Sequence, residues 1–139
     1  IIQQEEYDAA FGESPEKFGF NADSYKSLDR AKIKVISGDY DVFGDGQVII
    51  KRAVGHTPGH QVLFIDLEES GPIVLSGDLF HFTKNRTFQR VPSFNFNKEQ
   101  TIEAMKDIEA FVKDSGSQLW IQHDLEQNAT IKHSPDFYQ

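Results

Sequence analysis

Three short polar stretches, each set directly behind an apolar run, constrain this chain more than anything else in it. They are Gly55-His56-Thr57-Pro58-Gly59-His60, Ser76-Gly77-Asp78-Leu79-Phe80-His81 and Gln122-His123-Asp124. Two histidines and an aspartate (His60, Asp78 and His123) on separate loops at the ends of strands are how an active site is assembled on a sheet. Imidazole and carboxylate donors suit zinc or a similar ion, and a carboxylate can bridge two ions in a paired site. Each residue also has a plainer role open to it. A histidine after Pro58-Gly59 can simply occupy a turn, an aspartate after a glycine can bond its own backbone, and a histidine behind Leu119-Trp120-Ile121 can be a polar strand end.

The rest of the chain reads as support for those loops. Ile1 to Gln4 is strand-type sequence, Glu5 to Phe11 a short helix, and Gly12 to Ser24 a polar loop anchored by Phe18 and Phe20. Alternation over Ile33 to Ile36 predicts a strand. Asp45-Gly46 is a hairpin signal leading into Val48 to Val54. Val62 to Leu67 and Ile73 to Leu75 form a second hairpin around Glu68 to Pro72. Asn97 is a good N-cap, with Gln100 three residues on, for one long helix carrying Ile102, Met105, Ile108, Phe111 and Val112 on a single stripe and stopped by Gly116. The expected architecture is one layer of mostly antiparallel strands covered by helix, an α/β arrangement with no repeats and no internal linker.

Composition narrows the chemistry. A formal charge of −8 over 139 residues and a pI near 5.0 argue against a nucleic-acid surface and against attraction to anionic membranes, both of which need clustered Lys and Arg. A small organic substrate fits better. With no cysteine, any zinc must be held by His and carboxylates. No apolar run is long enough to span a bilayer.

The motifs His-Thr-Pro-Gly-His-Gln, Ser-Gly-Asp and Gln-His-Asp together resemble the C-terminal half of the metallo-β-lactamase superfamily, and within it the N-acyl homoserine lactonases. The likeness extends from about Ile1 to Phe137 and includes Ser37-Gly38-Asp39-Tyr40 and Val91-Pro92. It implies the C-terminal half of an αβ/βα sandwich, with residues 1–139 as part of a single domain. It also implies two zinc ions in the intact enzyme, with His60 a ligand of the first, Asp78 the bridge and His123 a ligand of the second. His56 is not a ligand in the family, so a structural hydrogen-bonding role is expected for it, and Asp124 is expected to support the site. No segment matches the superfamily's upstream His-x-His-x-Asp-His motif. The missing N-terminal portion of the same domain is therefore the expected partner, and the chain alone is expected to be inactive.

The reaction that the resemblance implies is opening of the lactone ring of an N-acyl homoserine lactone, which ends quorum signalling. Asp78 and His81 would be its catalytic residues on this chain. His81 departs from the better-known lactonases, which have a tyrosine at that position; it either replaces the phenol as a hydrogen-bond donor to substrate or lies at the surface. Phe80, Phe82, Phe88, Phe94 and Phe96 are dense for a stretch without regular period. They either pin a long loop or wall an acyl-chain site, and Phe80, His81, Phe82, Phe88 and Phe94 are the expected substrate contacts. A glyoxalase-type thioesterase, or a catalytically dead half-domain kept for binding, would carry the same motifs. A homodimer is left open, since nothing in the sequence sets the oligomeric state.

Overall fold

The computed structural model describes residues 1–139. The chain opens with a two-residue strand, β1 (Ile2–Gln3), that runs into helix α1 (Gln4–Phe11). The polar stretch behind it is built from 3-10 turns at Pro15–Phe18, Ala22–Ser24 and Arg30–Lys32. The Tyr25 hydroxyl ties it back to α1 by donating to Ala10 O (2.7 Å), and Phe18 packs on Phe96 with ring centroids 5.7 Å apart. The strand expected over Ile33 to Ile36 is shorter. The turn at Arg30–Lys32 is capped by Asp29, whose carboxylate accepts the Ala31 N–H, and only β2 (Val35–Ile36) pairs, in parallel, with β1.

A five-stranded sheet follows, in the order β3 (Tyr40–Asp41), β4 (Val48–Arg52), β5 (Gln61–Leu67), β6 (Gly71–Leu75) and β7 (Gln118–Trp120). Its first four strands are antiparallel and β7 lies parallel to β6. The Asp45-Gly46 hairpin is present, but Asp41 holds it: its carboxylate accepts the N–H groups of Phe43, Gly44 and Gly46. β4 ends two residues before Val54, because the chain there leaves the sheet to form the histidine loop.

Register explains the layering. Ile49, Phe64, Val74 and Leu119 are cross-strand neighbours on one face. On that face lies α3 (Lys98–Ser115), capped by the Asn97 side chain, which accepts the Gln100 N–H, and closed by Gly116 in the left-handed region. Val62, Phe64, Val74 and Leu119 meet Ala104, Met105, Ile108 and Val112 in the core. Each large buried side chain there contributes about 1.5–3 kcal/mol. The buried helix stripe is offset from the expected one. Thr101 and Ala104 are buried while Ile102 is only half-buried, because Thr101 sits beneath the histidine loop. On the opposite face Leu63, Leu75 and Trp120 lie side by side and, with Ile65, are only half-buried.

Two short helices carry no apolar period to mark them in the sequence. α2 (Thr83–Phe88) has no buried residue, and a two-pronged ion pair from Arg86 to Glu109 on α3 (2.5 and 2.9 Å) holds it. α4 (Leu125–Asn128) is capped by Asp124. No helix is long and apolar enough to cross a membrane.

Candidate active site

The loop from Ala53 to His60 is clamped from two sides. Glu6 on α1 accepts the Thr57 hydroxyl and the Gly59 N–H, both at 2.7 Å. From the α3 side, Gly55 O and His56 O accept the N–H groups of Asn97 (2.8 Å) and Phe96 (3.1 Å). Sequence reasoning missed Glu6, whose role depends on α1 folding back across the loop. A carboxylate aimed at successive loop donors has no periodic signature.

Within this clamp His60 is oriented by both ring nitrogens. Its Nδ1 donates to Ala53 O at 2.9 Å, which fixes the tautomer and leaves the Nε2 lone pair pointing at the Asp78 loop, where it accepts the Asp78 N–H at 2.9 Å. The approach is close because residue 77 is glycine: a Cβ there would lie 2.8 Å from His60 Nε2. Burial, opposed by the Ala53 carbonyl and reinforced by the His56 and His81 imidazoles, pushes the His60 pKa from 6.5 down to about 4. The folded chain therefore resists a proton that the unfolded chain accepts. Stability from this group is complete above pH 6.5 and is lost as pH falls from 6.5 to about 4, by about 3 kcal/mol in all. Urea unfolding of the metal-free chain at pH 7 and pH 4.5 checks this, and His60→Gln should flatten that part of the profile.

Asp78 gathers the other imidazoles. Its Oδ1 lies 2.6 Å from His123 Nε2 and its Oδ2 lies 3.2 Å from His56 Nε2. Partial burial raises its pKa, but the His123 hydrogen bond and the nearby His56, His123 and His81 rings outweigh that and hold the carboxyl below the usual carboxylate range. His56 also faces Asn95 Oδ1 through Nδ1 (3.2 Å), and Asn95 in turn donates to Thr101 Oγ1 (3.1 Å). His56 is thus hydrogen-bonded to Asn95 through Nδ1, while its Nε2 lies within ion-pair distance of Asp78.

His81 stacks on His123 with ring centroids 5.4 Å apart and planes 12° from parallel, and its Nδ1 is buried without a partner. Desolvation, opposed by Asp78 and aided by His56 and His123, lowers its pKa and favours the neutral ring. Phe94 meets His56 and His81 edge-on at 6.2 and 5.9 Å and is 71% exposed, so it presents an apolar face beside the cluster. Phe80 is a correction. It has no accessible surface and belongs to the core beneath α3, where it cannot touch a substrate, because the chain direction after Asp78 turns Leu79 and Phe80 inward. Phe82 is exposed beside α4, lining a groove of about 340 Å³ with Thr83 and Leu125, and Phe88 is exposed with the Arg90 guanidinium 5.0 Å from its ring centroid.

The structure therefore brings His60, Asp78, His81 and His123 together, with His56 added. The donor types fit zinc, and His60 is positioned through its other ring nitrogen in the way metal-ligating histidines usually are. The number does not fit a self-contained site. Zinc takes four ligands, and no group of three or more His, Cys, Asp or Glu side chains on this chain is arranged to hold an ion. Asp78 and His123 side chains are open to solvent, at 39% and 52%. The residues fit one side of a shared metal site.

No protein-family model matches the chain. It is similar over 99% of its length to proteins named N-acyl homoserine lactonase: 31% identical over 140 residues to one from Bacillus thuringiensis, and 28% identical over 144 residues to AttM from Azorhizobium caulinodans. These alignments take in 51% and 54% of the relatives, so the chain spans about half the length of the curated relatives it matches. Among solved structures, an N-acyl homoserine lactone hydrolase with the product N-hexanoyl-L-homoserine bound at its catalytic metal centre matches with TM-score 0.84 and 30% identity, over 100% of this chain and 52% of that one. The dizinc quorum-quenching lactonase AidC, at 17% identity and TM-score 0.62 over 89% of this chain and 47% of that one, shares the fold.

Proposed function

We propose that the chain, similar over 99% of its length to about half of an N-acyl homoserine lactonase, supplies one side of the active site of a metal-dependent lactone hydrolase. The observation that carries this reading is the meeting of His60, Asp78 and His123 from separate strand ends, with His123 Nε2 at 2.6 Å and His60 Nε2 at 2.9 Å from atoms of Asp78. On this reading residues 1–139 are part of a single domain whose other portion completes the site. The half-buried row Leu63, Leu75 and Trp120 supports that, since it leaves an apolar face for a second layer.

His60, Asp78 and His123 would hold two zinc ions together with ligands from the other portion. Bound there, the ions would lower the pKa of a water so that hydroxide is available near neutral pH. The net reaction adds water across the lactone: the carbonyl carbon gains the hydroxyl, the ring C–O bond breaks, and the ring oxygen takes the proton, giving an N-acyl homoserine. On the chain's own side, the ionised Asp78 supplies negative charge and the neutral His60 an aimed lone pair. His81, a neutral ring in the same cluster as Asp78 with its Nδ1 enclosed, is suited to donate a hydrogen bond from Nε2 to the lactone carbonyl or amide oxygen, and Phe94 offers the acyl chain an apolar wall.

One preorganised donor contributes about 1–3 kcal/mol to the transition state. His81→Ala in the intact protein should therefore lower kcat/KM roughly ten- to a hundredfold with zinc content unchanged, and His81→Tyr should keep much of the activity. Unchanged lactone hydrolysis by His81→Ala would make His81 a bystander. Assaying the intact protein on homoserine lactones and on thioesters tests the function itself, and turnover of thioesters alone would overturn the lactonase reading.

A further inference from the structure

We propose that Asp124 is a positioning residue: its carboxylate locks the loop bearing His81 to the loop bearing His123 and so sets the stack between their rings. The proposal rests on the role given to His81 above. Asp124 is only 5% exposed. Its Oδ2 accepts both the N–H and the hydroxyl of Thr83, at 2.7 and 2.5 Å, and its Oδ1 accepts the N–H groups of Glu126 and Gln127, at 3.1 and 3.2 Å. Thr83 lies two residues after His81, and Asp124 is next to His123. One carboxylate therefore fixes the chain leaving each histidine.

The clamp is itself braced. The Gln127 side chain accepts the Ile121 N–H at 2.6 Å and donates to Leu119 O at 2.8 Å, which fastens the turn to the end of β7. Ser76 donates to Gln122 Oε1 at 3.1 Å, which joins the Asp78 loop to the same segment. His81 has no hydrogen bond on its buried Nδ1, so its ring is held by its backbone, by the stack on His123 and by the tilted and edge-on contacts with His56 and Phe94. Moving Thr83 relative to Asp124 would slide one ring across the other.

The chemistry separates the two halves of the clamp. Asparagine is as good an N-cap as aspartate, so Asp124→Asn keeps the cap on α4. Its amide NH2 would then face the Thr83 N–H, donor against donor, and that bond of the clamp is lost, while the Thr83 hydroxyl can turn to accept. Thr83→Ala removes only the hydroxyl bond.

The test uses the intact, zinc-loaded protein and reads the ring-proton NMR signals of His81 and His123 in the parent, Asp124→Asn and Thr83→Ala. Both variants should shift those signals, Asp124→Asn more, while His133 stays in place and zinc content is unchanged. In parallel, Asp124→Asn should lower lactone kcat/KM by about tenfold and add nothing further in a His81→Ala background, because it acts through that ring. Ring signals that stay where they are in the parent, or losses from Asp124→Asn and His81→Ala that multiply, would overturn the proposal. If Asp124→Asn does not fold, the Thr83→Ala signals decide. If the parent opens no lactone, the lactonase reading fails, while the ring signals still decide the clamp.

Discussion

Asp78→Ala in the intact protein is expected to lower lactone kcat/KM by at least about a thousandfold, equivalent to about 4 kcal/mol of transition-state stabilisation, and to strip bound zinc. The size follows from position. Asp78 is the one carboxylate on this chain that meets the imidazoles of both the first and the third polar loop, with His56 on one oxygen and His123 on the other, while its own N–H meets His60. Removing it leaves imidazoles with no negative charge among them, and two cations would then have to be held by nitrogen ligands alone on this side. Fold stability should change little, since the side chain is 39% exposed and makes no core contact. Zinc per protein, kcat/KM and the far-UV spectrum check this together. A variant that keeps its zinc and works within tenfold of the parent would remove Asp78 from the site.

Gly55→Ala is expected to cost roughly 4 kcal/mol or more of stability, an effect reserved for backbone conflicts. A Cβ on residue 55 would lie 2.3 Å from Thr101 N, 2.5 Å from its Oγ1 and 2.8 Å from its Cα, and φ there is +124°, which side-chain-bearing residues rarely adopt. Relief by a shift is blocked. The loop and the start of α3 are held together by the Asn97 and Phe96 N–H bonds to Gly55 O and His56 O, and the far side of the loop is held by Glu6. Because domains are stable by only about 5–15 kcal/mol, this one methyl group should remove roughly a quarter or more of the total. Urea midpoints measure it, and a loss under 1 kcal/mol would show that the loop does not press on α3 as described.

The parts of this fold that were legible in the sequence are those where burial imposes a period. β5 alternates Val62 and Phe64 inward with Leu63 and Ile65 outward, and the apolar stripe of α3 repeats every three to four residues, so both stand out. α2 does not, because it is fastened by Asp124 and by the Arg86–Glu109 pair and buries nothing. Phe80 misled for the related reason that an aromatic residue in a loop looks the same whether it turns in or out, and here it turns into the core. The ligand-type residues were legible as motifs. What joins them was not: Glu6 and the Ser76–Gln122 pair act across 46 to 53 positions of sequence, through contacts that exist only once the sheet has formed.

The central claim is that His60, Asp78 and His123 form one side of a two-zinc site. Anomalous diffraction at the zinc edge from crystals of the intact protein tests it most directly. Two peaks flanking Asp78 are expected, one about 2 Å from His60 Nε2 and the other about 2 Å from a ring nitrogen of His123. Zinc bound elsewhere, with His60 Nε2 still accepting the Asp78 N–H, would contradict it.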